Sequence, residues 1–252
     1  MDLRKHWDGF HYPPLLTLLT EGLESQGFGP MGFFDDGTGS YEWSKPAFEG
    51  YDFRILVMPE TAMKGRISLS VGLSIESSRQ AQVEELIGLS RCSDTSQIRT
   101  CVSILYVSLP WLMARWEPVA GPGREVFSRW KELPSDNCEN AVEDMLRFLR
   151  SHGSRFFELV SSPESLADIL RKLPDFPGRG SLPSGPLSSS PLEFSAVLLN
   201  DLKRPNEALE CLQRDMDAAR QKVSDGVWYE DDLRVVECRH RLYKQWIGGP
   251  GH

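Results

Sequence analysis

The residues best equipped for chemistry stand close to the start of the sequence, where "HWDGFH" sets His6, Asp8 and His11 within one hexapeptide. Imidazole and carboxylate groups this close can hold zinc or move protons. Their spacing fits no standard motif, and the remaining histidines, His152, His240 and His252, are scattered. We read His6 and His11 as surface residues beside the aromatics Trp7, Phe10 and Tyr12. A second arrangement is the carboxylate pair Asp35 and Asp36 in "FFDDGTGS". Such a pair can hold a cation or share a proton. No calcium-loop spacing surrounds it, and Asp-Gly between two aromatic runs is a hairpin turn. The glycine-rich segments "GFGPMG", "GPG" and "GRGSLPSG" do not end in Gly-Lys-Ser/Thr, and no Gly-x-Ser-x-Gly elbow occurs. The expectation is therefore no catalytic residue, no metal and no cofactor.

What the chain does carry is a set of acids placed among aromatics. "DGVWYEDD" brings Trp228 and Tyr229 together with Asp225, Glu230, Asp231 and Asp232. Aromatic anchors inside a charged rim suit a protein partner, here a basic one. The competing reading is the first turn of a helix, with acids complementing the dipole and Trp228 in the core. A second contact candidate lies in "RISLSVGLSIESS". There Ile67, Leu69, Val71, Leu73 and Ile75 alternate with Ser68, Ser70, Gly72 and Ser74. This period of two describes a strand with one apolar and one small polar face. The expectation is that Ser68, Ser70 and Ser74 face outward, on an open or partner-facing side. Together with Asp35, Asp36, Trp228, Tyr229, Glu230, Asp231 and Asp232 they make the expected partner-binding set.

The elements that would position these residues follow from pattern. "PPLLTLLTEGLESQGF" begins with prolines, ends near Gly27 and reads as a helix. Strands follow in the aromatic runs around "DDGTG", in "YDFRILVMPE" ending at Pro59, in "RISLSVGLSIESS" and in "TCVSILYVSLPWLM" broken at Pro110. A short helix fits 82–89. Further helices fit 137–152, stopped by Gly153, and 161–173, with Ser162 as cap and Pro163 in the first turn. Residues 174–191 are rich in Pro, Gly and Ser and read as a linker. Helices at about 192–202, 205–223 and 229–247 complete the chain. Strands with short connections, followed by helices, give an α+β fold: an antiparallel meander of about five strands packed with helices, then a helical annex. The expected domains are 1–173 and 192–248, joined by the linker.

The chain has 252 residues with 40% hydrophobic and 25% charged content, enough for a sizeable core. Its net charge of −8 repels phosphate backbones, so nucleic acid is excluded as a partner. No stretch is apolar for long enough to cross a membrane, and no secretory signal is expected. The five cysteines, Cys92, Cys101, Cys138, Cys211 and Cys238, form no C-x-x-C motif. Their odd number reads as reduced thiols in a cytoplasmic protein.

The order of "LLTLLTEGLESQGFGPMGFFDDGTGSYEW", "YDFRILVMPE", "RISLSVGLSI" and "HGSRFFELVSSPESLADILRKL" resembles small bacterial α+β families of unknown function. Several of these are encoded beside polymorphic toxins and regarded as immunity proteins. The resemblance spans roughly residues 13–173. It implies a cytoplasmic module that neutralises a basic toxin domain through an acidic and aromatic surface, and it supplies no catalytic residues. The tryptophan-rich middle and the long Pro/Ser linker depart from it. The alternative is a hydrolase or transferase with dispersed residues between sheet and helices. A homodimer formed through the serine face or an edge strand is a third arrangement.

Overall fold

The computed structural model describes residues 13–30, 32–34, 40–61, 66–92, 102–110, 112, 130, 133–134, 139–172 and 189–249. The hexapeptide at 6–11, Asp35 and Asp36, Cys101, Cys138 and nearly all of the 174–191 linker lie outside them. The strands are β1 (Gly32–Phe34), β2 (Ser40–Phe48), β3 (Tyr51–Thr61), β4 (Arg66–Ser77), β5 (Val102–Ser108) and β6 (Leu133–Pro134). The first five neighbour one another in chain order, and β6 pairs with β4, making six strands where about five were expected. The β1–β2 pairing is antiparallel and sets Phe33 opposite Tyr41. β6 also runs antiparallel, with Ile67 opposite Leu133. The architecture is α+β with an antiparallel sheet.

The helices are α1 (Pro13–Glu24), α2 (Ser78–Leu86), α3 (Glu139–Phe148), α4 (Ser154–Leu159), α5 (Pro163–Lys172), α6 (Pro191–Asp201), α7 (Pro205–Ser224) and α8 (Glu230–Ile247). None is long and apolar enough to cross a membrane. Two compact units emerge, and they do not follow the expected boundaries. One comprises residues 1–46, 52–74 and 106–158; the other comprises 47–51, 75–105 and 159–252. The segment around α2, and α5 itself, therefore group with the C-terminal helices rather than with the sheet domain.

In the first unit β4 is buried on both faces. Leu69, Val71 and Leu73 fill the apolar side. The opposite side is not open: Ser68 and Ser74 are buried, Ser70 is half-buried, and Ser74 is only 1% exposed. This corrects the outward-facing reading for Ser68 and Ser74. Over Gly72 the cover is Tyr106 of β5. A Cβ built on Gly72 would collide with its ring, so Gly72 makes room for that aromatic side chain. Two other expectations are corrected. β3 runs past Pro59 to Thr61. The helix of α3 does not stop at Gly153; a wider π-helical turn, Leu149–Gly153, carries the chain into α4. Phe28, Phe53 and Phe157 pack as an aromatic cluster, with the Lys45 ammonium 4.5 Å from the Phe28 ring centre.

In the second unit α6 is the central helix. Residues 192–200 are all buried, which a helix apolar on nearly every side requires. α6 packs on α5 and α7, α7 packs on α8, and α2 touches α6. The Ser162 cap of α5 holds as expected, its Oγ accepting from Ser165 N–H at 3.2 Å. The expected apolar stripe of α7 is also seen: Ala208, Leu212, Met216 and Ala219 are buried, and Leu209 is half-buried. Cys92, in a 3-10 turn at Leu89–Cys92, is disulfide-bonded to Cys238 of α8. The reading of uniformly reduced thiols is thereby corrected. The bond closes a loop of 146 residues, long enough to restrict the unfolded chain strongly. Cys211 is a buried free thiol, pushed up in pKa chiefly by burial.

Candidate functional site

Two polar features of the second unit stand apart from ordinary surface charge. The first is buried. Glu193 occupies the first turn of α6, where it forms a capping box with Ser190. Ser190 N–H donates to Glu193 Oε2 at 2.8 Å, and Glu193 N–H donates to Ser190 Oγ at 3.1 Å. The positive end of the helix dipole favours a carboxylate there. Arg239 of α8 donates to the same Oε2 atom in an ion pair in which both side chains are buried.

His240, the next residue of α8, turns toward α7. Its Nε2 lies 2.9 Å from Asp215 Oδ2 and 3.4 Å from Glu193 Oε1. Burial by itself lowers the pKa of an imidazole. Hydrogen bonding to Asp215 and the nearness of Glu193 outweigh it and hold His240 up at about 9. With both carboxylates ionised and His240 protonated, Glu193, Asp215, Arg239 and His240 sum to zero charge. That balance lets four ionisable groups share a helical core. Glu193 Oε1 and His240 Nδ1 are buried without a hydrogen bond.

A second hydrogen-bond network adjoins it one turn further along α8. Gln80 of α2 donates from Nε2 to Tyr243 Oη and to Glu84 Oε1, both at 2.9 Å. Ser189 Oγ also donates to Glu84 Oε1, at 2.8 Å. Burial raises the Tyr243 phenol well above its usual pKa, so it remains a neutral donor or acceptor. A His–Asp pair is a common acid–base device. Here the ring of His240 is 1% exposed and its Nε2 is turned onto carboxylates, so the imidazole itself presents no face to a substrate. The donor atoms of Glu193, Asp215 and His240 lie within 4.8 Å of one another, a grouping with the composition of a metal centre.

The second feature is exposed. Between α7 and α8 the chain turns at residues 225–229, with Gly226 at φ +69°. Gly226 N–H and Val227 N–H donate to Val223 O and Lys222 O, closing α7. Asp232 Oδ2 accepts from Tyr229 N–H at 2.8 Å and so starts α8. Trp228 is half-buried, with the Lys222 ammonium 4.0 Å from its ring centre. Its flank packs on Met216, Ala219 and Val236. Tyr229 is 82% exposed and Val227 67% exposed. Asp225, Glu230 and Asp231 are exposed beside them, and Asp232 is half-buried.

Of the residues expected to bind a partner, the structure brings together Trp228, Tyr229, Glu230, Asp231 and Asp232. The two competing readings of this stretch both hold in part: the acids do begin a helix and Trp228 does pack, while Tyr229 stays in water. Ser68, Ser70 and Ser74 belong to the other unit and are covered. Asp35 and Asp36 fall outside the described residues. Sequence reasoning missed Glu193, Asp215, Arg239 and His240. A signal was present, since Val236, His240, Tyr243 and Ile247 recur at helical spacing and place an imidazole on an apolar stripe. A lone Glu193 beside an apolar run was a second. Compared with known protein families, curated proteins and solved structures, the chain matches none.

Proposed function

We propose that the protein is a protein-binding module of the toxin-neutralising kind, which docks a basic partner through the turn between α7 and α8. The observation that carries this reading is Tyr229, 82% exposed among Asp225, Glu230 and Asp231. A folded chain gains nothing from holding a tyrosine and a valine in water, whereas an aromatic anchor ringed by acids is the composition of a binding hot spot. The Tyr229 ring can receive an Arg or Lys of the partner on its face, and the acids around it supply the opposite charge. The net charge of −8 would speed encounter with a basic surface and discourage acidic ones. A domain that acts on nucleic acid has such a basic surface, because it must attract phosphates. The resemblance of residues 13–173 to immunity-type families supports the same partner class.

The cytoplasmic address belongs to this reading. In that compartment glutathione keeps most thiols reduced, so Cys92 and Cys238 would spend part of their life open. Counting free thiols on protein extracted under acid quench tests the address directly.

The docking reading is tested by co-expressing the protein with the products of neighbouring genes. The expected result is stoichiometric recovery of a basic partner together with restored growth, and loss of both in Tyr229→Ala. Binding and protection that persist unchanged in Tyr229→Ala would remove this turn from the interface.

A further inference from the structure

The geometry points to a divalent-cation site formed by Glu193 Oε1, Asp215 Oδ2 and His240 Nε2, independent of the docking turn. Three observations converge on it. The donors come from three different helices, α6, α7 and α8, and lie within 4.8 Å of one another. Their measured spacings are 2.9 Å from His240 Nε2 to Asp215 Oδ2 and 3.4 Å from His240 Nε2 to Glu193 Oε1. Zinc binds such N and O ligands at about 2.0–2.2 Å, which places neighbouring ligands of a tetrahedron about 3.3–3.6 Å apart. The two spacings at His240 come within a few tenths of an ångström of that edge, and the two carboxylates, within 4.8 Å of each other, would draw together on a cation.

The second observation is the state of Glu193 Oε1. It is buried, aimed at the other two donors, and accepts no hydrogen bond. Glu193 as a whole is 1% exposed. The one charged neighbour of Oε1 among the described contacts is the His240 ring at 3.4 Å, longer than a hydrogen bond, and a cation at bonding distance would satisfy this acceptor better. The third observation is the holding of the other oxygen. Oε2 is fixed by Ser190 N–H and by Arg239, so the carboxylate is oriented before any ligand arrives. Groups that orient a ligand in this way commonly govern metal affinity.

Binding is an exchange. The cation takes the Nε2 position of the imidazolium proton, and that proton leaves to solvent. Three protein donors leave a fourth position for water. Asp215, 16% exposed at its side chain, is the donor of the three that reaches solvent. One imidazole and two carboxylates suit zinc and its first-row neighbours, whereas calcium and magnesium favour all-oxygen shells.

The test uses the full chain stripped by a chelator and titrated with Zn2+ by calorimetry, then with Co2+ by visible absorption. One equivalent of Zn2+ is expected, with affinity at least about 10-fold weaker in Asp215→Asn and in His240→Gln. Co2+ should give the ligand-field bands of a four-coordinate N/O site without thiolate charge-transfer bands. Circular dichroism confirms that the variants fold; should either unfold, the cobalt spectrum of the unaltered chain decides. Absence of stoichiometric binding, affinity unchanged in Asp215→Asn, or thiolate bands that place the metal on cysteines would each overturn the site.

Discussion

Helix α8 carries two sets of charges that differ in almost everything except residue type. At its start, Glu230 and Asp231 stand in water, and the Asp231–Arg234 pair at 2.8 Å is exposed on both sides. Two turns later Arg239 and His240 are buried against Glu193 and Asp215. The exposed charges are screened and interchangeable, so they can be shaped for a partner at little cost to the fold. The buried ones are interdependent. Each carboxylate is held by a cation, and removing any member leaves another desolvated and uncompensated. Stability and recognition are therefore written into the same helix about ten residues apart. Substitutions should separate them.

The sharpest break should come from Arg239→Met. It strips the guanidinium from Glu193 and leaves a buried carboxylate, at a cost of about 3–5 kcal/mol. Urea unfolding measures it directly, and a loss under 1 kcal/mol would mean that the cluster is not the keystone described here. Changing Glu193 and Arg239 together to Gln and Met should restore much of the loss, because the unpaired charge disappears.

The next effect is pH dependence. The folded-state pKa of His240 is about 9, above its ordinary 6.5. Its protonation therefore favours the folded state. The contribution is complete below pH 6.5 and fades as pH rises through 9, amounting to about 3 kcal/mol at most. Asp215 and Glu193 face the ring as acceptors, and Arg239 adjoins it as a competing cation. Unfolding followed from pH 6 to 10 in the presence of a chelator should show this decline, and His240→Gln should flatten it. A decline of equal size in the variant would assign the dependence to other groups.

The smallest effect belongs to the exposed pair. Arg234→Ala should change stability by about 0.5 kcal/mol or less, measurable as a shift of the urea midpoint. A larger loss would show that the start of α8 bears structural weight and is less free to serve a partner.

How much of this was legible in the sequence depended on how local the cause was. The last three helices were placed to within a residue or so, because Pro191 and Pro205 open two of them and their apolar spacing is regular. The β1–β2 hairpin followed from Asp-Gly between aromatics. Most of the failures involved distant partners. Alternation in β4 showed that one face was small and polar, yet the reason, the Tyr106 ring over Gly72, sits on another strand. Gly153 read as a stop, but the widened turn before it absorbs an extra residue and the helix resumes. Cys92 and Cys238 are 146 residues apart, so spacing could not pair them. The buried cluster was scattered over Glu193, Asp215, Arg239 and His240, and only the packing of α6, α7 and α8 unites it. The exposed turn was legible because all its residues are neighbours in the chain.

The most direct test of the division between docking turn and buried cluster is charge reversal at the turn. The double variant Glu230→Lys, Asp231→Lys would be titrated against the co-purified basic partner at low and moderate salt, with its melting curve recorded alongside. The expected result is affinity lowered at least about 10-fold, a shallower salt dependence and a nearly unchanged melting temperature. Unaltered affinity with the same salt dependence would contradict the account and place recognition elsewhere on the molecule.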